Sequence, residues 1–267
     1  MRYFFSSAIV VASLSLLTAL AKDDTRAQAA QIVTQIQRAD YEGNQAAMQR
    51  GYEELEPFLK NKELVSRIHY WRGFAQWRKA INGFNDAVDL NDVEKDLNIA
   101  LEEFKASLQA DAAFVDAKVG MISSLGYLAF MNMKDQTRVK QLVGQIMPLL
   151  KEAIQAAPDN PRLIWVRGPI LWSTPPEAGG GQDKAIQNYL NGLEICSKIR
   201  PATDPMEPSW GKPELMMSLA YSYLNKKEPD MAAAERNARD ALEIVPYWHY
   251  VRDILLRQIA AKRKEVE

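Results

Sequence analysis

Residues 147–165 read MPLLKEAIQAAPDNPRLIW, and two other stretches of the chain end a helical segment in the same way. They are ALEEFKASLQADAAFVDA at 100–117 and AERNARDALEIVPYWHY at 234–250. Each stretch carries small and apolar residues at helical spacing and then stops at Ala112, Pro158 or Pro246. Small residues let two helices approach closely, and proline cannot continue a helix. The shared ending predicts a chain built from repeated helical units.

The positions within these endings keep a fixed order. A small residue, or a larger substitute, opens each ending at Ala100, Ile146 and Ala234. A small residue followed by an apolar one comes seven positions later, at Ser107-Leu108, Ala153-Ile154 and Ala241-Leu242. The preceding helix of a unit also carries a small residue near its middle, at Gly73, Gly168 and Ala220.

These residues resemble the tetratricopeptide-repeat (TPR) family over about residues 40–250. The resemblance implies an all-α fold, a right-handed α-solenoid of about five helix-turn-helix units plus a C-terminal capping helix. The unit endings at Ala112, Pro158, Pro201 and Pro246 are 46, 43 and 45 residues apart, whereas a TPR unit has about 34 residues. The longer period also suits HEAT-like repeats, but the small-apolar-proline ending favours TPR units with inserts.

Helical periodicity dominates after residue 25, and alternating β-branched runs are missing. The pattern predicts eleven helices, near 25–40, 44–60, 62–81, 93–110, 113–132, 137–157, 161–172, 182–200, 213–226, 229–245 and 247–264. We therefore assign a repeat array to residues 22–246 and a capping helix to residues 247–267.

The N-terminal stretch MRYFFSSAIVVASLSLLTALAKDD has an early cation, an apolar core and a small-x-small site at Ala19–Ala21. This order is typical of a secretory signal peptide, so we predict that residues 1–21 are removed and that the protein is periplasmic or secreted. An uncleaved membrane anchor is the alternative, and it would be the protein's membrane contact. Cys196 is the single cysteine, which excludes an internal disulfide and favours a small buried side chain.

Composition argues against several functional classes. The 33 basic and 34 acidic residues nearly cancel, so the chain lacks the basic surface that nucleic-acid binding requires. The two histidines, His69 and His249, are too far apart in sequence to suggest a metal site. No nucleophile, zinc or phosphate-loop motif is present. We predict no catalytic residue, no metal and no cofactor.

Two segments 95 residues apart, YWRGFAQW at 70–77 and WVRGPILW at 165–172, share the pattern aromatic-x-Arg-Gly-x-x-x-Trp. Seven residues are close to two helical turns, so the outer aromatic residues of each segment share one helix face. We predict a concave pocket for a ligand or partner, lined by Tyr70, Trp77, Trp165, Trp172 and Tyr221. Arg72 and Arg167 could bring cations to it; the alternative is an aromatic core with internal salt bridges or caps.

The stretch after the second segment, STPPEAGGG at 173–181, has no counterpart in the first segment. Pro169 predicts a kink or an early end of the helix before it. If the protein has one dedicated site, this loop, with Pro175, Pro176, Gly179, Gly180 and Gly181, is the predicted place. A loop of this kind before an Asp-x-Ala helix is similar to loops in the TPR-type auxiliary subunit of TRAP transporters, which works beside a solute-binding protein.

The sequence therefore favours a non-enzymatic binding or scaffold protein outside the cytoplasm. Its concave groove would bind a protein or peptide partner, or a small ligand. The alternatives are a TRAP-associated subunit that binds a small organic solute or its receptor, an enzyme or enzyme regulator using residues 167–183, and a structural part of an envelope assembly.

Overall fold

The computed structural model describes residues 6–266, and side chains are described for residues 24–265. All regular structure in this range is helical. Short 3₁₀-helices lie at Glu56–Lys60 and Pro176–Ala178, and a π-helix covers Tyr250–Leu255. The α-helices are α1 (Ser6–Glu42), α2 (Gln45–Glu54), α3 (Val65–Asn85), α4 (Leu90–Ala110), α5 (Val115–Met131), α6 (Gln136–Ala156), α7 (Pro161–Ser173), α8 (Gln182–Lys198), α9 (Lys212–Asn225), α10 (Met231–Ile244) and α11 (Leu256–Val266).

Consecutive helices pack in pairs from α1–α2 to α9–α10, and α11 follows the last pair. The first helices of neighbouring pairs, α1, α3, α5, α7 and α9, also pack side by side. Each unit thus buries its apolar faces against the next, as in a repeat array. The predicted all-α, TPR-like solenoid is confirmed.

Small residues lie where the two helices of a unit cross. A Cβ on Gly73 of α3 would lie 2.9 Å from the Phe104 ring of α4, and a Cβ on Gly168 of α7 would overlap the Tyr189 ring of α8. Ala100 is fully buried at its crossing. Only small side chains permit this approach, so the spacing in the sequence reports real packing positions.

Several helix boundaries differ from the predicted ones. The helix expected over 44–60 ends at Glu54, and a 3₁₀-helix follows, because Pro57 has no N–H for a helical bond. The start of α7 is as expected: Pro161 is its first residue, and the Asn160 side chain accepts a hydrogen bond of 2.9 Å from the Arg162 N–H. This helix continues past Pro169 to its end at Ser173, so Pro169 does not end it early.

The first and last units are in contact. The Tyr41 hydroxyl of α1 donates a 2.7 Å hydrogen bond to Glu214 of α9, and the Tyr41 ring lies 5.1 Å from the Trp248 ring. Nearby, His249 Nε2 is 3.0 Å from an oxygen of Asp86 at the end of α3. These contacts close the array on itself around its inner face.

Of the predicted signal peptide, residues 1–5 lie outside the described residues, and the backbone of residues 6–21 forms the first part of α1. Among the helices that the structure describes, none is long and apolar enough to cross a membrane. Cleavage after residue 21 stays a prediction.

Candidate partner-binding groove

The first helices of the units present one face toward the centre of the array, and we call this face the inner groove. On α3 the groove face carries Tyr70, Trp77 and Phe84, each seven residues after the last. On α7 it carries Trp165 and Trp172 with the same spacing. Seven residues are nearly two turns, so these rings form a row along each helix. The groove is therefore aromatic along its length, as the duplicated pattern predicts.

One half of the inner groove is filled by the connection between α8 and α9. This crossing segment, residues 199–211, carries Met206, Pro208 and Trp210 buried, with exposed or half-buried residues between them. Residues 204–207 form a turn, closed by the Glu207 N–H to the Asp204 carbonyl at 3.0 Å, and residues 208–211 continue without regular structure. The Trp210 ring lies 5.7 Å from the Trp77 ring and 5.6 Å from the Trp165 ring. We call this part of the groove the filled half.

Hydrogen bonds from aromatic and arginine side chains hold the crossing segment in place. The Trp71 indole donates to the Met206 carbonyl over 2.9 Å, and the Trp210 indole donates to the Tyr70 hydroxyl over 2.9 Å. Arg162 donates to the Trp210 carbonyl over 3.2 Å. Ion pairs anchor the outer end of the segment, with Arg67 to Glu207 at 2.7 Å and Arg26 to Asp204.

The pocket predicted around Tyr70, Trp77 and Trp165 is thus occupied by the chain itself. Tyr70 and Trp77 are fully buried, and Trp165 is 9% exposed. The Trp165 indole donates to the Ser218 hydroxyl of α9 over 2.9 Å. These three rings form core, which is the alternative that the sequence left open for them.

The two arginines of the duplicated pattern lie away from the groove row. Two residues turn a helix by about 200°, so Arg72 and Arg167 lie almost opposite Tyr70 and Trp165. Arg72 is buried and donates to Glu103 of α4 over 2.9 Å and to the Tyr52 carbonyl over 2.7 Å. Arg167 is half-buried and makes no ion pair within the described part of the chain. Neither brings a cation to the groove.

A different arginine, Arg78, supplies the buried positive charge at the centre. Its Nε lies 2.8 Å from both carboxylate oxygens of Asp40, and its guanidinium lies 5.5 Å from the Trp77 ring centre. Burial opposes its charged form, but Asp40 and Glu214 hold the Arg78 pKa above its ordinary value. Burial raises the pKa of Glu214, which binds the Tyr41 hydroxyl. This network joins α1, α3 and α9 beneath the groove.

The other half of the groove, which we call the open half, is not covered by the crossing segment. The Phe84 ring lies 6.0 Å from Tyr127 of α5 and 5.8 Å from Phe130. Phe130 is 52% exposed and Tyr221 of α9 is 46% exposed. On the C-terminal π-helix, Tyr250 is half-buried beside them. The open half comprises Phe84, Tyr127, Phe130, Trp172, Tyr221 and Tyr250.

Three tyrosines of the open half act on one another electrostatically. Burial raises the pKa of Tyr127. The charge of Arg78 lowers this pKa, and Tyr221 raises it. Burial raises the pKa of Tyr250, and Tyr127 and Tyr221 raise it further. The hydroxyls of Tyr127, Tyr221 and Tyr250 make no hydrogen bond to other residues that the structure describes. Each hydroxyl can donate or accept a hydrogen bond.

The loop at 173–181 is compact. The Gly180 N–H donates to the Pro175 carbonyl over 3.1 Å, and the Gly181 N–H donates to the Leu171 carbonyl over 2.8 Å. Gly179 and Gly181 have φ values of 86° and 106°, which favour glycine. Pro175 and Pro176 are exposed, just beyond Trp172 and the end of α7. The glycines thus serve the turn, and a binding role for this loop stays a prediction.

The sequence singles out Trp172 and Tyr221, whose binding role stays a prediction, and it does not single out Phe84, Tyr127, Phe130 or Tyr250. A signal for Phe84 was present, since it continues the seven-residue series from Tyr70 and Trp77. Across the described residues, no group of three or more histidine, cysteine or acidic side chains could hold a metal ion. Cys196 is half-buried, and burial raises the pKa of its thiol.

No protein-family model matches the sequence, and no curated protein matches it. Among solved structures, the chain is similar to the crystal structure of a thermophilic TPR protein in Thermus thermophilus, with a TM-score of 0.58. The two chains are 19% identical, and the match covers 88% of this chain and 97% of the other. At this identity the likeness concerns the fold.

Proposed function

Because the chain has the fold of a TPR protein, we propose that it is a non-enzymatic scaffold that binds a protein partner through its open half. One observation carries this proposal: Phe130 and Tyr221 are about half exposed next to the Phe84–Tyr127 ring contact, and the hydroxyls of Tyr127, Tyr221 and Tyr250 have no partner within the described chain. Exposed aromatic side chains with a polar end are typical of the residues that contribute most to protein interfaces.

A protein partner is favoured over a small organic solute because the enclosed part of the groove is already occupied by the chain itself. A small ligand needs an enclosed space that buries most of its surface. Trp210 and Met206 occupy the space that the sequence suggested for such a ligand. The open half is a broad exposed surface instead, with Phe130 and Tyr221 about half accessible to solvent.

The partner-binding proposal can be tested by photo-crosslinking in the cell that makes the protein. A photoreactive phenylalanine at position 221 should yield a specific crosslinked partner, which the additional substitution Tyr127→Ala should abolish. The same probe at Gln187, an exposed position on α8, is the matched control. Equal crosslinking from both positions, or none from position 221, would contradict the proposal.

We further propose that the scaffold acts outside the cytoplasm. The support is the cation, apolar core and Ala19–Ala21 site of the N-terminal stretch. N-terminal sequencing of the protein recovered from its producing cell should give Lys22 as the first residue. Recovery of the uncut chain from the cytoplasm would refute this location and leave the partner proposal standing.

A further inference from the structure

We propose that the open half recognises an extended, proline-rich segment of its partner protein. This inference deepens the proposed function and rests on it, because it names the chemistry of the partner at the same site. It comes from the filled half, where the inner groove already holds a proline-rich segment of its own chain.

The crossing segment provides the template. Residues 201–213 read PATDPMEPSWGKP and contain four prolines. Proline lacks an N–H and resists helix formation, so such a segment stays extended and leaves its carbonyl groups without internal partners. Residues 199–211 contain no helix, but residues 204–207 form a turn in which the Glu207 N–H donates to the Asp204 carbonyl over 3.0 Å. The Met206 carbonyl is left to accept from Trp71, and Met206, Pro208 and Trp210 are buried.

The filled half recognises this segment by a simple chemistry. Aromatic rings cover the buried side chains, and the Trp71 indole donates a hydrogen bond to the Met206 carbonyl. The Tyr70 hydroxyl takes part as well, by accepting from the Trp210 indole. Flat rings with one polar group at the edge therefore bind both the apolar side chains and the carbonyls of an extended chain.

The open half offers the same groups without an occupant from the described chain. Phe84 and Phe130 provide apolar ring surface 5.8 Å apart. Tyr127, Tyr221 and Tyr250 provide hydroxyl donors that no described residue satisfies. Trp172 follows Trp165 by two helical turns on the groove face of α7. A proline-rich chain supplies the matching flat apolar rings and free carbonyl acceptors.

The spacing of the helices also suits such a ligand. Packed helices lie about 8–10 Å apart. A polyproline II chain rises about 3.1 Å per residue and repeats every three residues, so one turn spans about 9 Å. An extended segment crossing α5, α7 and α9 would bring one residue of each turn to each helix. Tyr127, Trp172 and Tyr221 are the aromatic residues that α5, α7 and α9 contribute to the open half.

The inference is tested with a fluorescently labelled deca-proline peptide and the purified protein. Binding is followed by fluorescence anisotropy, with a ten-residue Gly-Ser peptide as the composition control. We expect deca-proline to bind at least tenfold more tightly than the Gly-Ser peptide. Each of Tyr127→Phe and Tyr221→Phe should weaken binding by about fivefold, because each removes one hydrogen bond and keeps the ring.

Tyr247→Phe is the matched control variant. Tyr247 is 36% exposed, but its ring lies under Arg38 of α1 rather than in the open half. This variant should bind deca-proline as the unmodified protein does. All three changes are conservative and act at half-buried or exposed rings, so folded variants are expected, and circular dichroism checks them.

Three results would overturn the inference. Equal affinity for deca-proline and the Gly-Ser peptide would exclude proline-rich recognition; a partner still crosslinked at position 221 would then leave the proposed function intact. Binding that is insensitive to Tyr127→Phe and Tyr221→Phe but releases the crossing segment would move the peptide site to the filled half. Loss of both peptide binding and crosslinking would refute the inference and the proposed function together.

Discussion

The two halves of the inner groove are lined by the same aromatic pattern, but the crossing segment covers only one of them. Both are lined by aromatic residues at seven-residue spacing on the first helices of the units, Tyr70 and Trp77 in one half and Phe84 in the other. In the filled half, the indoles of Trp71 and Trp210 are satisfied by the crossing segment and by Tyr70. In the open half, the tyrosine hydroxyls have no such partners among the described residues. The Trp77 indole, fully buried in the filled half, also lacks a hydrogen-bond partner among the described residues. The solvent exposure of Phe130 and Tyr221, rather than hydrogen bonding alone, therefore marks the open half as the candidate site.

The length of one connection explains the difference. The link between α8 and α9 covers residues 199–211, which is longer than the usual two to eight residues between packed helices. Its length lets Asp204 and Glu207 reach Arg26 and Arg67 near the start of the array. The segment thus covers the half near the beginnings of the helices and leaves the half near their ends accessible.

The largest expected effect on stability separates Trp210, in the filled half, from Trp172, in the open half. Trp210→Ala should lower the free energy of unfolding by about 3–5 kcal/mol, because a buried ring and its bond to Tyr70 are lost. Trp172→Ala, at a half-buried position, should cost only about 1 kcal/mol. Urea denaturation measures both values. A Trp172→Ala cost equal to that of Trp210→Ala would remove the distinction between a structural and an accessible half.

The next prediction compares the stability costs of replacing the two arginines of the duplicated pattern. Arg72→Ala should cost about 3 kcal/mol, because it breaks a buried ion pair and leaves Glu103 with His69 as its remaining partner. Arg167→Ala should change stability by less than about 0.5 kcal/mol, because no described residue pairs with it. Thermal and urea unfolding test this difference. Similar costs would mean that the two copies of the pattern play the same structural role.

A smaller effect tests the packing that both halves share. Gly168→Ala should cost about 2 kcal/mol, because the new Cβ would collide with the Tyr189 ring. Gly126→Ala is the control, since no atom lies within 4 Å of its added Cβ, and it should be neutral or stabilising by about 0.5 kcal/mol. If Gly168→Ala proved as mild as Gly126→Ala, the close crossing of α7 and α8 would be refuted.

The smallest expected effect concerns the contact at the end of α3, near the open half. Hydrogen bonding to Asp86 raises the pKa of His249, burial lowers it, and Asp253 raises it further. Arg252 pairs with Asp253, and Gln45 donates to Asp86. A raised pKa in the folded state means that the stabilisation is complete below the ordinary pKa of 6.5 and is lost as pH rises through the raised value.

His249→Gln should therefore lower the free energy of unfolding at pH 5.5 by less than about 1 kcal/mol, because the pair is partly exposed and screened by solvent. The difference from the unmodified protein should shrink as pH rises toward 8.5. Urea denaturation across this pH range measures it. A difference that stays constant with pH would show that the charged pair adds nothing to this contact.

The sequence predicted the helical units well because their packing is local. Gly73, Gly168 and Ala100 occupy crossings between helices that follow each other in the chain, and helical spacing reports such positions directly. The angular position of Arg72 could also have been predicted, since two residues from Tyr70 turn the helix by about 200°.

The division of the groove could not be predicted in the same way. It depends on contacts such as Trp71 with Met206 and Tyr41 with Glu214, which join residues far apart in sequence. The prolines of residues 201–213 indicate an extended segment, but nothing in their spacing tells where that segment lies. Only the closed arrangement of the helices decides which aromatic residues it covers.

Fluorine NMR of protein labelled with 5-fluorotryptophan shows which half of the inner groove a peptide enters. The six tryptophans give separate signals, which single Trp→Phe variants assign. On addition of deca-proline, we expect the Trp172 signal to shift while the Trp71 and Trp210 signals stay in place. A joint shift of Trp71 and Trp210 with Trp172 unmoved would contradict this expectation, because the peptide would then have displaced the crossing segment.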